Sequence, residues 1–254
     1  MLFNSQAWCN LSKKDLNTLR IVQLKFLKRI FYAPQSTSNS ITFLETGTLP
    51  IEYEINKRQL NFLHHILNLE ENDPVKKVYY EQLKYIDEKN WGNEVLKLRA
   101  KYNIPDTDPE IAEYSKDHWK SIVKRRIKTY ALGILNREMS MQKHGCQMDQ
   151  YHKLETQQYL KDLQPQKARK LFHVRAGILD VKTVRKYWYN DSVCRLCQQN
   201  DETVNHIVNE CTLISRTSGV IEVFTNNIVE MEQIADRCIQ FANKTKEMES
   251  TGER

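Results

Sequence analysis

Apolar residues recur along this chain at intervals of three and four over long stretches, while period-two alternation is almost absent, so the pattern predicts a mainly helical, all-α fold. Ser12-Lys-Lys-Asp15 has the form of a capping box, and Leu16, Leu19, Val22, Phe26 and Ile30 follow it on one helical face until Pro34 ends the element. Gln35 to Ser40 reads as a polar loop. A second helix is expected to open at Pro50 and to bury Ile55, Phe62, Leu63 and Ile66. His64 and His65 are adjacent there and point to different faces, with no further ligand at helical spacing to make a metal site.

Asn72-Asp73-Pro74 and the run Pro105 to Pro109 punctuate the next stretch, in which Trp91, Val95 and Leu98 anchor one helical piece. Asp108-Pro109-Glu110 then supplies a cap and an acidic first turn, and a long helix is predicted from about Ser115 to Met141. Its apolar side comprises Trp119, Ile122, Val123, Ile127, Tyr130 and Ile134. After Gly145 come Tyr151, Leu154 and Leu160, a break at Pro165, and a short basic helix from Lys167 to Arg175 ended by Gly177. Near the C-terminus, Val220-Ile-Glu-Val-Phe224 is the one candidate strand. Val229, Ile234, Cys238 and Phe241 mark a closing amphipathic helix, with a frayed tail expected from Lys244.

Charge changes this picture more through its placement than its sum of +6. Lys plus Arg against Asp plus Glu stand at 15 and 15 for residues 1–115, at 17 and 6 for 116–190, and at 6 and 11 for 191–254, so the middle stretch carries a net +11. Within it, Lys124, Arg125, Arg126 and Lys128 lie on the long helix and Lys167, Arg169, Lys170 and Arg175 on the short one. Lys182, Arg185, Lys186 and Trp188 follow, and such a mixture of cations and aromatics suits phosphate contact and base stacking, in RNA or DNA. The alternative is a solvated helix face, with Trp188 packed on its own fold. No apolar run approaches the length that crosses a bilayer, and the start Met-Leu-Phe-Asn lacks a basic region with an apolar core, so no membrane association and an intracellular location, nucleus or cytoplasm, are expected.

The most specific signal is Cys194-Arg-Leu-Cys197, followed by His206 and Cys211 in the spacing C-x2-C-x8-H-x4-C. Two thiolates from one tight turn and a His and a Cys from the next short helix can close a tetrahedron around zinc. His206 and Cys211 are five apart, which places Cys211 just past the last helical turn. A disulfide reading is poorer, since Cys194 and Cys197 are too close for an ordinary staple. Cys9, Cys146 and Cys238 stand alone and have no paired base that would make a catalytic thiol.

Ser5-Gln-Ala-Trp8 before Lys13-Lys-Asp-Leu16, the helix Leu24-Lys-Phe-Leu-Lys-Arg-Ile30, and a knuckle in which CxxC is followed by Glu202-Thr-Val-Asn-His206 together resemble the C-terminal region, thumb helices and CCHC zinc knuckle, of non-LTR (LINE-type) retrotransposon reverse transcriptases. The resemblance implies zinc ligation by Cys194, Cys197, His206 and Cys211 and nucleic-acid contact during target-primed reverse transcription. It divides the chain into a thumb-like helical segment 1–70, a helical connector 71–115, a basic helical region 116–190, the CCHC knuckle 191–215 and a C-terminal segment 216–254. The departures matter as much. A polymerase of this kind needs paired aspartates for two magnesium ions, and no Asp-Asp pair occurs; Tyr85-Ile-Asp-Glu88 and Tyr189-Asn-Asp191 are superficial echoes. Only 43 residues follow Cys211, without a proline, so the basic-Pro-Asp signature of an appended nuclease is missing. The expectation is a retroelement-derived nucleic-acid-binding module without catalysis of its own. The alternatives are a zinc-stabilised helical module with a protein partner, and a nonfunctional remnant of a decayed element.

Overall fold

The structure, a computed structural model, describes residues 2–85, 89–104, 107–141, 151–214 and 219–251. The expectations placed on Ile86–Glu88, Pro105 and Asp106, Gly145 and Cys146 lie outside them. A 3-10 turn, Ser5–Ala7, precedes α1 (Lys13–Ile30), α2 (Asn39–Thr46), α3 (Ile51–Leu67), α4 (Pro74–Leu83), α5 (Trp91–Tyr102) and α6 (Asp108–Glu113). Then come α7 (Lys116–Ser140), α8 (Tyr159–Asp162), α9 (Pro165–Arg175), a π-helical turn at His206–Glu210, and α10 (Ile228–Thr251). Helices dominate, as the periodicity requires. Among the described residues the only β pairing is an isolated antiparallel bridge, Val193 to Asp201.

Local chemistry accounts for most helix starts. Ser12 and Asp15 bond reciprocally, each backbone N–H donating to the other's side chain at 3.0 and 3.2 Å. Ser38, Asp73 and Asn90 accept from the first-turn amides of α2, α4 and α5, and Thr107 with Glu110 boxes α6. α2 begins inside the stretch expected to be a polar loop, because Ser38 supplies a cap and Ile41, Phe43 and Leu44 supply buried side chains.

The chain forms two compact units, both discontinuous in sequence. The first comprises 1–25, 48–137 and 151–154, and the second 26–47, 138–150 and 155–254, so the basic stretch 116–190 is shared between them. In the first unit α3 packs against α4, α5 and α6. Tyr53, Ile55, Leu60, Leu63 and Ile66 of α3 are buried with Trp91, Val95 and Leu98 of α5, and with Trp119, Val123, Ile127, Ala131 and Leu135 of α7. Burial of each large apolar side chain stabilises the unit by roughly 1.5–3 kcal/mol. Trp119 also satisfies its indole N–H on the Leu60 carbonyl at 3.0 Å. His64 belongs to this core: Nε2 lies 2.8 Å from the Tyr114 carbonyl and the ring stacks on Trp119.

The second unit gathers Phe31 and Ala33, Tyr159 of α8, Leu171, Phe172 and Val174 of α9, Leu179, Val181, the knuckle, and Met231, Ile234, Cys238 and Phe241 of α10 into one core. Phe31 stacks on Phe172 at 4.2 Å between ring centroids. Gly47, at φ +63, lets the backbone of Glu155 and Thr156 pass so closely that a Cβ would lie 2.1 Å from it. That approach lets Gln157 N–H donate to the Glu45 carbonyl. The Glu45 side chain, fully buried, accepts from Tyr159 Oη at 2.7 Å and pairs with Arg175 Nε at 2.9 Å.

Three expectations are corrected. The apolar face of α1 is not the buried one. Leu24, Leu27 and Phe31, a second apolar stripe, are buried, while Val22, Phe26 and Ile30 are exposed; the Lys28 ammonium turns inward with the buried stripe and donates to the carbonyls of Gln35 and Thr37 and to Asn39 Oδ1. Val220 to Phe224 is irregular rather than a strand: Asn209 satisfies both backbone groups of Ile221, at 2.8 and 2.9 Å, in place of a neighbouring strand. Finally, α10 continues to Thr251 where fraying was expected, with Thr245 buried and Met248 packed on the core. Among the described residues no helix is long and apolar enough to cross a membrane.

Candidate metal centre

The knuckle is a miniature hairpin. Cys194 N–H donates to the Asn200 carbonyl at 2.8 Å, Glu202 N–H to the Ser192 carbonyl at 2.7 Å, and Gln198 turns the chain with φ +55. This turn aims backbone N–H groups at sulfur: those of Leu196 and Cys197 at the Cys194 thiol, and those of Gln199 and Asn200 at Cys197. The second half starts where Thr203 Oγ1 accepts from His206 N–H at 2.9 Å. A regular α-helix would leave positions five apart roughly 140° out of register. Here a π-type bond from Cys211 N–H to the His206 carbonyl, 2.8 Å, closes a wider turn and brings Cys211 back toward the histidine.

The result is a four-donor cluster. One ligand atom from each of Cys194, Cys197, His206 and Cys211 lies within 4.8 Å of every other. Tetrahedral thiolate ligation with metal–sulfur bonds of about 2.3 Å asks for sulfur separations of roughly 3.8 Å, so the cluster can hold a metal ion with small adjustments. His206 Nε2 faces the thiols, 3.2 Å from Cys197 Sγ, while Nδ1 lies 3.3 Å from Glu210 Oε2. That outer carboxylate orients the ring for ligation through Nε2. Cys194, Cys211 and His206 are buried and Cys197 is half-buried, which closes the cluster to solvent on most sides. Burial pushes the Cys211 thiol up to about 12 and raises Cys194. At Cys197 burial works the same way, but the Gln199 amide and the neighbouring Cys194 and His206 outweigh it and bring that thiol to about 7.

Glu202 holds the hairpin from beneath. Fully buried, its carboxylate accepts from the backbone N–H of Lys182 and Arg195 and from Arg195 Nε and Nη2, all between 2.8 and 3.1 Å. The Arg195 guanidinium in turn lies over the rings of Tyr189 and Phe241, tying the knuckle to α10. Glu202, Arg195 and Glu210 were missed as site residues in the sequence reading. The run Glu202-Thr-Val-Asn-His206 was the available signal: the carboxylate braces the turn, the threonine caps the next one, and the histidine joins the three thiols as a candidate ligand.

The basic residues separate into two groups. Lys124, Arg125 and Arg126 are exposed on α7, and Lys186 is exposed beside Trp188, 80% exposed. Others are engaged inside the protein. Arg175 is buried against Glu45 and is withdrawn from the surface set on that ground. Lys167 pairs with Glu232 and Asp236, Lys182 is buried and pairs with Asp191, and Lys128 donates to the Leu154 carbonyl. Arg169 and Lys170 on α9 and Arg185 are half-buried; Arg169 donates Nε to the Ile30 carbonyl, and Arg185 lies 3.6 Å from Asp180. A count of charges overstates the available cations because it is blind to such partners. No protein-family model, curated protein or solved structure matches the chain.

Proposed function

We propose that the chain is a nucleic-acid-binding module whose second unit is built around a structural zinc ion. Three thiolates and one imidazole in a closed, largely buried cluster are the donor set and geometry that zinc takes in structural sites. The resemblance to the C-terminal part of a LINE-type reverse transcriptase supplies the biological setting, and in that setting the module binds RNA or DNA without polymerising it. With four protein donors no ligand position is left open for substrate, and the sequence has no aspartate pair for magnesium. One observation carries the nucleic-acid reading: after the internally engaged cations are set aside, Lys124, Arg125, Arg126 and Lys186 of the basic stretch still face solvent.

The test is a titration of labelled single-stranded RNA, single-stranded DNA and duplex at two salt concentrations, beside an unrelated protein of equal net charge. Phosphate contact releases counterions, so affinity should exceed the control and fall steeply with salt. Equal, weak binding by both proteins overturns the reading. It would promote the alternative of a zinc-stabilised protein-interaction module, which the exposed Ile21, Val22 and Phe26 on α1 favour.

A further inference from the structure

Two adjacent aromatic side chains, Tyr187 and Trp188, stand essentially in water, at 102% and 80% exposure. The loop that carries them is not loose. At its base Thr183 N–H and Oγ1 both donate to the Glu202 carbonyl, and Lys182 N–H is held by the Glu202 carboxylate. At its far end the Tyr189 hydroxyl meets Arg195 Nη1 at 3.0 Å, and within it Trp188 N–H donates to the Arg185 carbonyl at 2.8 Å. The bracing of the metal hairpin therefore also fixes the loop that presents the two rings. Keeping a tryptophan out of the core while its backbone is pinned forgoes a large apolar burial, which suits a surface that meets a partner.

Cations precede this aromatic pair on the same loop. Arg185 is half-buried and its carbonyl accepts from Trp188 N–H, one turn before the ring. Lys186 lies next to Arg185 and is exposed. Asp180, itself exposed, lies 3.6 Å from Arg185, a surface pair that salt screens.

Resting on the nucleic-acid reading above, we propose that the loop Arg185, Lys186, Tyr187 and Trp188 forms a binding face for single-stranded nucleic acid, with unpaired bases stacked on Trp188 and Tyr187 and phosphates met by the cations. Flat π surfaces among cations distinguish this from a face for an acidic peptide, which would use the charges and leave the rings idle. A duplex is the poorer ligand, because its bases are stacked on each other and closed to the protein rings.

Trp188→Ala and Tyr187→Ala truncate side chains that stand largely in solvent, and unchanged circular dichroism and zinc content verify that each variant is intact. Binding of labelled single-stranded RNA, single-stranded DNA and duplex is then measured for wild type and variants. Each alanine variant should lose roughly tenfold in single-strand affinity, equivalent to about 1.4 kcal/mol, with duplex binding unchanged, and Trp188→Phe should restore most of the loss. Lys186→Glu should weaken all ligands alike. A difference between the RNA and DNA arms identifies which strand the face accepts. If wild type binds above the equal-charge control but Trp188→Ala lowers nothing, or lowers duplex and single strand equally, the stacking face is overturned and the general reading stands. If wild type binds nothing above the control, the general reading itself fails.

Discussion

The two units each bury a histidine, and they use it differently. His64 in the first unit stacks on Trp119 and meets a main-chain carbonyl, one polar group absorbed into an apolar helix core. In the second unit His206 points one nitrogen at three thiols and the other at a carboxylate. The core around His64 is complete once its helices have packed. The core around His206 runs without a break from α9 through Cys194, Ile207, Val208 and Cys211 to α10, so the candidate metal ligands are part of the packed core. A knuckle that reads in sequence as a small separate module is thus a wall of a larger core.

Metal removal gives the largest expected effect and tests this contrast directly. Binding energies for structural zinc are on the order of 10 kcal/mol or more, comparable to the whole stability of a domain. Hydrogen exchange on the intact chain, with and without chelator, should show protection lost over residues 190–214 and then over α9 and α10, while α3, α5 and the first part of α7 keep theirs. Loss confined to 190–214 would mean that the second core stands without its knuckle. Cys197→Ser and His206→Ala should each lower bound zinc in metal analysis, and unchanged content in both would remove the ligand assignment.

Arg175 and Glu45 sharpen the comparison from the side of the second unit that holds no metal ligand. Arg175→Ala removes the guanidinium from the buried Glu45 carboxylate, and breaking such a pair from one side costs about 3–5 kcal/mol. Replacing both with apolar residues, as in Arg175→Met with Glu45→Leu, should recover much of that loss. Denaturant unfolding of the zinc-loaded protein measures both, and a single variant that unfolds like wild type would show that the pair contributes nothing.

What the sequence made legible follows from what its patterns encode. The helical class, the core residues of α5, Trp119, Val123 and Ile127 of α7 and the four-ligand spacing all depend on periodicity or on fixed offsets, whereas Tyr130 of the expected α7 face is exposed and Ala131 and Leu135 are buried in its place. The rotation of α1 was not legible, because the helix carries two apolar stripes and its last turns bury Leu24, Leu27 and Phe31, with the Lys28 ammonium turned inward beside them, rather than Val22, Phe26 and Ile30. Nor were the roles of Glu202 and Glu210, whose partners lie in a hairpin and a π-turn that no simple repeat announces. The charge count misled at Arg175, Lys167 and Lys182 for the same reason: their carboxylate partners are distant in sequence or placed by turns.

That last point sets up a smaller effect. Arg125 and Arg126, exposed on the first unit, should each flatten the slope of log affinity against log salt by about 0.7–0.9 when reversed in charge, whatever the nucleic-acid sequence. Lys167, tied to Glu232 and Asp236 on the second unit, should change that slope hardly at all when replaced by Gln. An equal response at Lys167 would mean that its internal pairs open on binding.

The smallest expected effect is a pH dependence of the second unit alone. His173 of α9 is largely buried, with Nε2 2.7 Å from the Phe31 carbonyl. Burial first, and then Lys170, Arg185 and Arg169, hold its pKa below the ordinary value of 6.5, against a raising contribution from that carbonyl. The unfolded chain therefore takes up a proton on His173 at a higher pH than the folded one. Its contribution to stability is fully present above about 6.5 and is lost as pH falls through the depressed folded value. Acid also protonates the thiolates and releases metal, so wild type alone is uninformative. His173→Gln retains a donor for the Phe31 carbonyl and cannot titrate. The difference in unfolding free energy between wild type and this variant, followed from pH 7.5 down to 5 at saturating zinc, cancels the metal contribution. It should shift toward the variant as pH falls, and a difference independent of pH would show that folding does not perturb His173.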